Sequence, residues 1–414
     1  MTDLLTKTKN DPPPGALNPA KTTRMLLRLI RALEPISRIE IARRIKVNRS
    51  TITEIVSPLI NGGIIREGPI RADGVSRPLG RPPIGLSLND TDDFFVGLNL
   101  GVRRSQLGLS TINGEVLAEE EFETPTDPAK ALETARNRIR ELCSGVEDRT
   151  LRAIGISVPG PTDESRRKLL YAPHLGWSGI AVADELGFGE VITVVENDST
   201  AAAMYESRLK LRNSAENSLN DFILVRSGTG IGVGLVIDDE IYRGTGRGSG
   251  FAGEFGHMTI VAGGEECVCG NRGCWEKYAS ASTASAIYSR RASVDPDAAP
   301  LKFVDIVALA NSGDTVAQET LEMIGEYLGI GIANAIMGIG VNQVVVSGRL
   351  VYGWKFIREP LHNAVRRSIV GKTSHWSVEC GEPKGSAIGG ALEIAIEEYI
   401  ASGLTISHAE SAAT

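Results

Sequence analysis

Phe222-Ile223-Leu224-Val225-Arg226-Ser227-Gly228-Thr229-Gly230-Ile231-Gly232-Val233-Gly234 is the stretch on which the fold is decided. An apolar run, a glycine-dense turn and a second apolar run read as strand–turn–strand. Glycines at that density after a strand let backbone N–H groups approach an anion, phosphate being usual, although tight β-turns use the same residues. The pattern has an earlier counterpart. Phe94 to Leu100 and Ser105 to Thr111 read as strands, Asn113-Gly114 as a hairpin turn, and Glu115 to Phe122 as a third strand. A polar helix over Pro128 to Cys143 follows. Ala153 to Val158 then reads as a buried strand ending at Pro159-Gly160-Pro161, and Val191 to Glu196 as a strand ending in Asn197-Asp198. A three-strand meander followed by alternating helices and strands is an α/β pattern.

The chain has 414 residues, enough for two or three domains, each with its own core. With 42% hydrophobic and 23% charged residues, wholesale disorder, collagen and coiled coil are excluded. No run approaches the ~18 apolar residues of a membrane span, so no membrane partner is expected. The N-terminus, MTDLLTKTKNDPPPG, lacks an apolar leader core, so export is not expected and a cytoplasmic location is. Five cysteines are too few for a disulfide scaffold.

Charge is unevenly distributed. Residues 21–88 hold 13 Lys/Arg and 5 Asp/Glu, while the whole chain carries −7. A small basic module fused to a large acidic body points to nucleic acid at one end; an ordinary solvated basic surface is the bland alternative. Within the module, a helical pattern from Thr22 carries Met25, Leu26, Leu29, Ile30 and Leu33 on one side, and Pro35 stops it. Ser37-Arg38-Ile39-Glu40 has capping-box spacing before a short helix to about Arg44. Lys46-Val47-Asn48 is a tight turn. A third helix from Arg49 presents Arg49, Ser50, Thr51 and Thr53 outward, contains Pro58, and stops at Asn61-Gly62-Gly63. Ile64 to Arg66 and Pro83 to Leu86 pair as wing strands around Arg71, Arg77 and Arg81, the last in Gly80-Arg81-Pro82-Pro83. Together these features specify a winged helix-turn-helix for double-stranded DNA. The third helix would sit in the major groove and Arg81 would reach a minor groove.

The sharpest chemical signal is Gly256-His257 followed by Cys267-Val268-Cys269-Gly270-Asn271-Arg272-Gly273-Cys274-Trp275-Glu276. Three cysteines on one glycine-bearing loop with a nearby histidine form a closed tetrahedral set of the structural zinc type; free cysteines or a redox loop are the alternatives. The ligands are His257, Cys267, Cys269 and Cys274, holding one zinc per chain. Cys143 and Cys380 fall in apolar contexts and read as plain core thiols.

The recurrence of strand–turn–strand at 95–118 and 222–242 resembles the actin-like kinase architecture, with a ligand cleft between two lobes. Residues 93–400 resemble the ROK (repressor, open reading frame, kinase) family through Ser157 to Pro161, Glu196 to Asp198, Gly228 to Gly232, Gly253 to His257 and the cysteine run ending in Glu276. The resemblance implies a sugar site made of Gly160, Asn197, Asp198, Glu254, His257 and Glu276, with the Asp198 position serving as general base in the kinases. It also implies that His257 faces both zinc and a sugar hydroxyl. Kinases of the family open with an Asp-x-Gly-x-Thr phosphate hairpin. Here the segment is Gly97-Leu98-Asn99-Leu100-Gly101-Val102-Arg103, with Asn99 in place of the metal-holding aspartate, Val102 and Arg103 in place of small residues, and Arg103 expected to fill the turn.

The expected organisation is therefore a tail (1–20), the winged module (21–88), a first lobe (89–195) completed by a C-terminal helix at about 386–402, a second lobe with the zinc loop (196–385), and a flexible tail (403–414). The expected function is a DNA-binding transcriptional regulator, a repressor, controlled by a sugar or sugar phosphate, acting as a homodimer or dimer of dimers, and not an enzyme. An ATP-dependent sugar kinase carrying a DNA-binding module, and a regulator relieved by a protein partner, remain the alternatives.

Overall fold

The computed structural model describes residues 19–70, 84–89, 92–146, 148–213, 221–245, 250–292, 301–382 and 386–411. The chain divides into two compact units: the first takes Met1–Asp90, Ser214–Asn217 and Ile400–Thr414, and the body takes Thr91–Asn213 and Ser218–Tyr399. Among the described residues, no helix is long and apolar enough to cross a membrane.

In the first unit, α1 (Pro19–Leu33) buries Leu26, Leu27, Leu29 and Ile30. It begins three residues before the pattern read from Thr22, inside the expected tail, because proline at a first turn forfeits no hydrogen bond. A short strand, β1 (Ile36–Ser37), precedes α2 (Arg38–Ile45). Ser37 caps α2 by accepting from the Glu40 N–H at 3.2 Å. The Glu40 carboxylate is taken by Arg43 and Arg44, at 2.7 and 2.8 Å, so the reciprocal half of the expected box is replaced by ion pairs. Lys46, at φ 59°, turns the chain into α3 (Arg49–Asn61), which buries Ile52, Val56 and Leu59. Pro58 neither ends nor shortens α3, since it lies on the solvent-exposed side near the C-terminal end. β2 (Ile65–Pro69) and β3 (Ile84–Leu88) pair antiparallel from Ile65 opposite Leu88, and β1 adds a third strand against Leu86. The expected wing tip, with Arg71, Arg77 and Arg81, lies outside the described residues.

In the body, β4 (Asp93–Asn99), β5 (Arg104–Ser110) and β6 (Val116–Glu123) form an antiparallel meander. After α4 (Pro128–Cys143), β7 (Thr150–Val158) joins parallel to β4. The ribbon β8 (Leu169–Ala172) and β9 (Trp177–Ile180) and the short α5 (Val182–Leu186) lead to β10 (Ile192–Asn197), giving the order β10-β7-β4-β5-β6. The sheet thus extends past the expected lobe limit at 195. The helix α6 (Asp198–Asn213) then leads to β11 (Phe222–Ser227), β12 (Ile231–Ile237) and β13 (Glu240–Ile241).

A 3-10 turn (Glu254–His257) and α7 (Glu276–Ala279), α8 (Ala281–Arg291), α9 (Phe303–Asn311) and α10 (Thr315–Ile339) follow. The last segments are β14 (Gln343–Gly348), α11 (Trp354–Arg367), α12 (Ile369–Thr373), β15 (Ser377–Cys380) and α13 (Ser386–Ser411). The second sheet has the order β13-β12-β11-β14-β15. Each sheet is therefore a meander extended from its first strand by two parallel strands. The body is a mixed α/β, two-lobed actin-like fold.

The helix α13 runs to Ser411 without proline, beyond the tail expected from 403; Gly403 weakens a helix without ending it. Cys380 is exposed at the end of the edge strand β15, which corrects its reading as a core thiol. Cys143 is half-buried, and burial pushes its thiol up to about 11.

Gly108, Gly97 and Gly155 lie side by side across β5, β4 and β7. A Cβ on each would meet α13: Ile388 at Gly108, the Leu392 backbone nitrogen (2.8 Å) at Gly97, and the Ala391 carbonyl oxygen at Gly155. The missing side chains let α13 lie directly on the sheet. Gly155→Ala is expected to lower unfolding free energy by at least about 1–3 kcal/mol in urea titration. Gly145→Ala, where a new Cβ meets nothing within 4 Å, should change it by less than about 1 kcal/mol. Equal stability of the two variants would show that α13 simply moves aside.

Candidate functional site

Glycines set the stage for the metal-type cluster. Added Cβ atoms at Gly253 and Gly256 would collide with the carbonyl oxygens of Val233 and Ile231, so the Glu254–His257 turn rests on the backbone of β12. The cysteine loop turns at Gly270 (φ 89°) and Gly273 (φ 74°) and is anchored by fully buried Trp275, whose indole N–H donates to the Tyr327 carbonyl at 2.9 Å. One ligand atom from each of His257, Cys267, Cys269 and Cys274 lies within 4.8 Å of all the others. Cys269 Sγ and Cys274 Sγ are 3.7 Å apart, and Cys267 Sγ is 3.6 Å from His257 Nδ1. A tetrahedral ion with bonds of about 2.3 Å to sulfur and about 2.1 Å to nitrogen requires edges of this length. The four residues therefore fit a metal ion. Burial pushes the Cys274 thiol up to about 11 and that of Cys267 up as well, so a nearby cation is what would make them thiolates.

Carboxylates gather beside this cluster. Glu276, at the start of α7, is buried; its Oε1 lies 2.9 Å from Cys267 Sγ and 3.8 Å from His257 Nδ1, and its Oε2 lies 3.5 Å from His174 Nε2. Burial raises the Glu276 carboxyl, but the facing His174, the hydrogen bond from Cys267 and the charge of His257 outweigh it and hold the group below its ordinary range. Gly230 leaves the room for this, since a Cβ there would collide with Glu276 Oε2. Glu254 Oε2 is 3.9 Å from His257 Nε2. Burial, then the charges of Asp198 and Glu276, push Glu254 up to about 7. His257 thus turns Nδ1 to the sulfurs and Nε2 to Glu254.

Asn197 is engaged at both ends of its amide. Its Oδ1 caps α6 by accepting from the Ser199 N–H at 2.8 Å, and its Nδ2 donates to the Gly160 carbonyl at 3.3 Å. Gly160 itself must be glycine, because a Cβ would strike the Tyr171 carbonyl oxygen. Asp198 Oδ2 pairs with Arg226 at 2.7 Å, and its Oδ1 accepts from Ser199 at 3.1 Å. Neither Arg226 nor His174 is marked by the sequence, for each meets its carboxylate only through the tertiary fold.

At the first hairpin, Asn99 is buried and its Oδ1 accepts from the Ser157 hydroxyl at 2.8 Å. Arg103 is exposed, which corrects the expectation that it fills the turn; the tight neighbour of Gly101 is the Arg104 carbonyl oxygen. In the first unit, Arg49, Ser50 and Thr53 are exposed on α3, and the Thr53 hydroxyl donates to the Arg49 carbonyl at 3.0 Å. Thr51 is half-buried, because it borders the core stripe of Ile52, Val56 and Leu59.

Comparison with known proteins adds four likenesses. The xylose repressor of Bacillus subtilis (strain 168) is 29% identical over 347 residues, covering 83% of this chain and 85% of the relative. The DNA-binding transcriptional dual regulator NagC of Escherichia coli (strain K12) is 30% identical over 353 residues, 82% of each chain. The crystal structure of a ROK family transcriptional regulator, homolog of the E. coli MLC protein, superposes with a TM-score of 0.74 at 24% identity, covering 94% of this chain and 98% of that one. A ROK family glucokinase from Streptomyces griseus in complex with glucose and AMPPNP superposes with a TM-score of 0.64 at 25% identity, covering 73% of this chain and 99% of that one. The model of the ROK family matches residues 95–398, and the chain belongs to the ROK family.

Proposed function

We propose that the protein is a sugar-responsive DNA-binding transcriptional repressor. The observation that carries this reading is coverage. The repressor and NagC relatives align over 83% and 82% of the chain, whereas the glucokinase structure spans only 73%. A regulator therefore shares more of this chain than a kinase does.

In this reading the first unit is a winged helix-turn-helix, with α3 as recognition helix and Arg49, Ser50 and Thr53 at the DNA. Thr51 stands behind them as a partly packed neighbour. Arg81, expected in the minor groove, lies outside the described residues. The body binds a sugar through Asp198, Glu254, His257 and Glu276. Asn197 and Gly160 hold the site's shape, since their polar atoms and contacts are engaged within the fold. A structural zinc would be held by His257, Cys267, Cys269 and Cys274. It would fix the loop that presents Glu254 and Glu276, and the bound imidazole would have its second nitrogen aimed by that bond. Sugar binding would change the angle between lobes, and in a homodimer the spacing of two winged modules over two half-sites.

The body is read as a binding module without catalysis. Asn99 is neutral where the kinases place a carboxylate toward the metal, and it is hydrogen-bonded to Ser157. Asp198 is ion-paired with Arg226. Phosphoryl transfer rests on charge neutralisation and alignment of the nucleotide, and a neutral side chain at Asn99 supports a reading without it.

Purified protein should carry about one zinc per chain by elemental analysis, and Cys269→Ser should lose both metal and sugar binding. A metal-free variant that still binds sugar would refute that coupling. For DNA, Arg49→Ala should weaken operator binding by about 1–3 kcal/mol in fluorescence anisotropy and alter sequence preference. Unchanged operator affinity would place the DNA face elsewhere. Wild-type protein incubated with ATP, magnesium and a sugar panel should show no phosphorylated product. Robust turnover abolished by Asp198→Asn would favour the kinase.

A further inference from the structure

Between α4 and the short α5 the body holds a solvent-facing cavity of about 530 Å3, lined from α4 by Ala129, Leu132, Arg136 and Arg140 and from α5 by Asp184 and Glu185. None of these residues belongs to the cysteine cluster, to the acids beside it or to the DNA face. Arg136 and Arg140 stand one helical turn apart, so both lie on the same side of α4. Arg136 donates from Nε to the Leu186 carbonyl at 3.0 Å and from Nη2 to the Glu185 carbonyl, which fastens α5 to α4. The exit of α5 is shaped around this arginine: a Cβ on Gly187 (φ 75°) would lie 3.3 Å from its Nε.

The charges of this lining are only partly matched. Asp184 is taken by Arg167, whose Nε donates to it at 3.1 Å. Arg136 spends its hydrogen bonds on neutral carbonyls, and Arg140 lies over the Phe188 ring at 5.8 Å, so neither has an anionic partner among the described residues. The Glu185 carboxylate likewise has no cationic partner among them. Arg140 and Glu185 are both exposed, and no ion pair closes the span between them. Leu132, 1% exposed, gives the cavity an apolar floor. Ligand pockets commonly measure about 300–1,000 Å3 and combine apolar walls with a few polar groups that fix orientation. A simple anion here would face the open charge of Glu185, and a simple cation would face two arginines that already repel each other. A ligand carrying both charges satisfies both walls.

We propose that the cavity between α4 and α5 binds a zwitterion, a free amino acid or short peptide, with its carboxylate on Arg140, its ammonium on Glu185 and an apolar side chain over Leu132. The guanidinium fork matches a carboxylate with two parallel hydrogen bonds, and the Glu185 carboxylate accepts from the ammonium. Arg136 adds positive charge to the carboxylate side while its own bonds hold the wall in place. The site shares no residue with the sugar-receptor reading and stands independently of it, as a second ligand input to the body.

The test is calorimetric titration of the full-length protein with leucine, phenylalanine, alanyl-leucine and leucyl-leucyl-leucine. Two blocked compounds serve as controls, N-acetyl-leucine without the ammonium and leucinamide without the carboxylate. At least one unblocked ligand should bind, and its blocked counterparts should bind roughly tenfold or more weakly, as loss of one charge-assisted contact implies. The amino-acid and peptide arms identify which spacing of the two charges fits. Arg140→Met should remove the preference for a free carboxylate, and Glu185→Gln the preference for a free ammonium. Both positions are exposed, and either variant carries the test if the other does not fold. Operator binding should be unchanged in both when no amino acid or peptide is added. No binding of any unblocked ligand, or unchanged preferences in both variants, would overturn the proposal. N-acetyl-leucine binding as tightly as leucine would also overturn it, and make the cavity a plain anion site.

Discussion

Everything in the body hangs on two helices that touch sheet backbone directly. The helix α13 lies on the glycine row Gly108–Gly97–Gly155 of the first sheet, and α6 lies on Gly232 and Gly234 of the second, where a Cβ would strike Ser199. The two helices also meet each other at glycine, Gly390 against Ala201 and Gly389 against Tyr205. Sheets and helices at ordinary separation would leave room for side chains; here the contact is closer, and its tolerance is correspondingly small. Because α6 starts at Asp198 and β10 ends at Asn197, the same packing that joins the lobes fixes the acids of the candidate site.

A buried ionic chain runs behind those acids. Glu196, 2% exposed, receives Arg243 at 2.6 Å and Arg166 at 3.3 Å on one oxygen, and Arg166 reaches Glu398 of α13 at 2.7 Å. Arg243 follows the second sheet, Glu196 ends the first, and Glu398 lies on the shared helix. Such a pair adds little net stability over apolar residues of the same shape, but breaking it strands a buried charge at a cost of about 3–5 kcal/mol. The energetic consequence is geometric: the two sheets are held in register at this point. Away from this chain of charges, Glu254 and Arg226 are partly exposed.

Local pattern made much of the fold legible. The helix Pro128–Cys143 has the same limits in sequence and structure, because Pro128 at its start and an apolar stripe at Ala131, Leu132, Ala135 and Ile139 are local signals. The cysteine cluster was legible for the same reason, three of its four members lying on one loop. The unreadable parts depend on sequence-distant meetings. Arg226 meets Asp198 across 28 residues, and a lone arginine in an apolar strand announces no partner. His174 reaches Glu276 from another lobe. Cys380 looks apolar in sequence, and its exposure follows from β15 being an edge strand. Glycine in a strand was equally ambiguous, since a bulge, a turn and a helix contact all call for it.

The two hairpins differ in the charge that they carry. In the second hairpin, Gly230 leaves room for Glu276, and Arg226 ties the strand to Asp198. In the first, the turn is equally tight, but Asn99 holds no charge and its side chain is hydrogen-bonded to Ser157 within the sheet. A carboxylate there would have to desolvate beside a hydroxyl with no cation among its described contacts, a cost that a bound metal ion normally offsets. Amide and hydroxyl satisfy each other without any ion. An asparagine at this position therefore needs no buried cation, whereas the acids on the α6 side stand beside histidine and arginine.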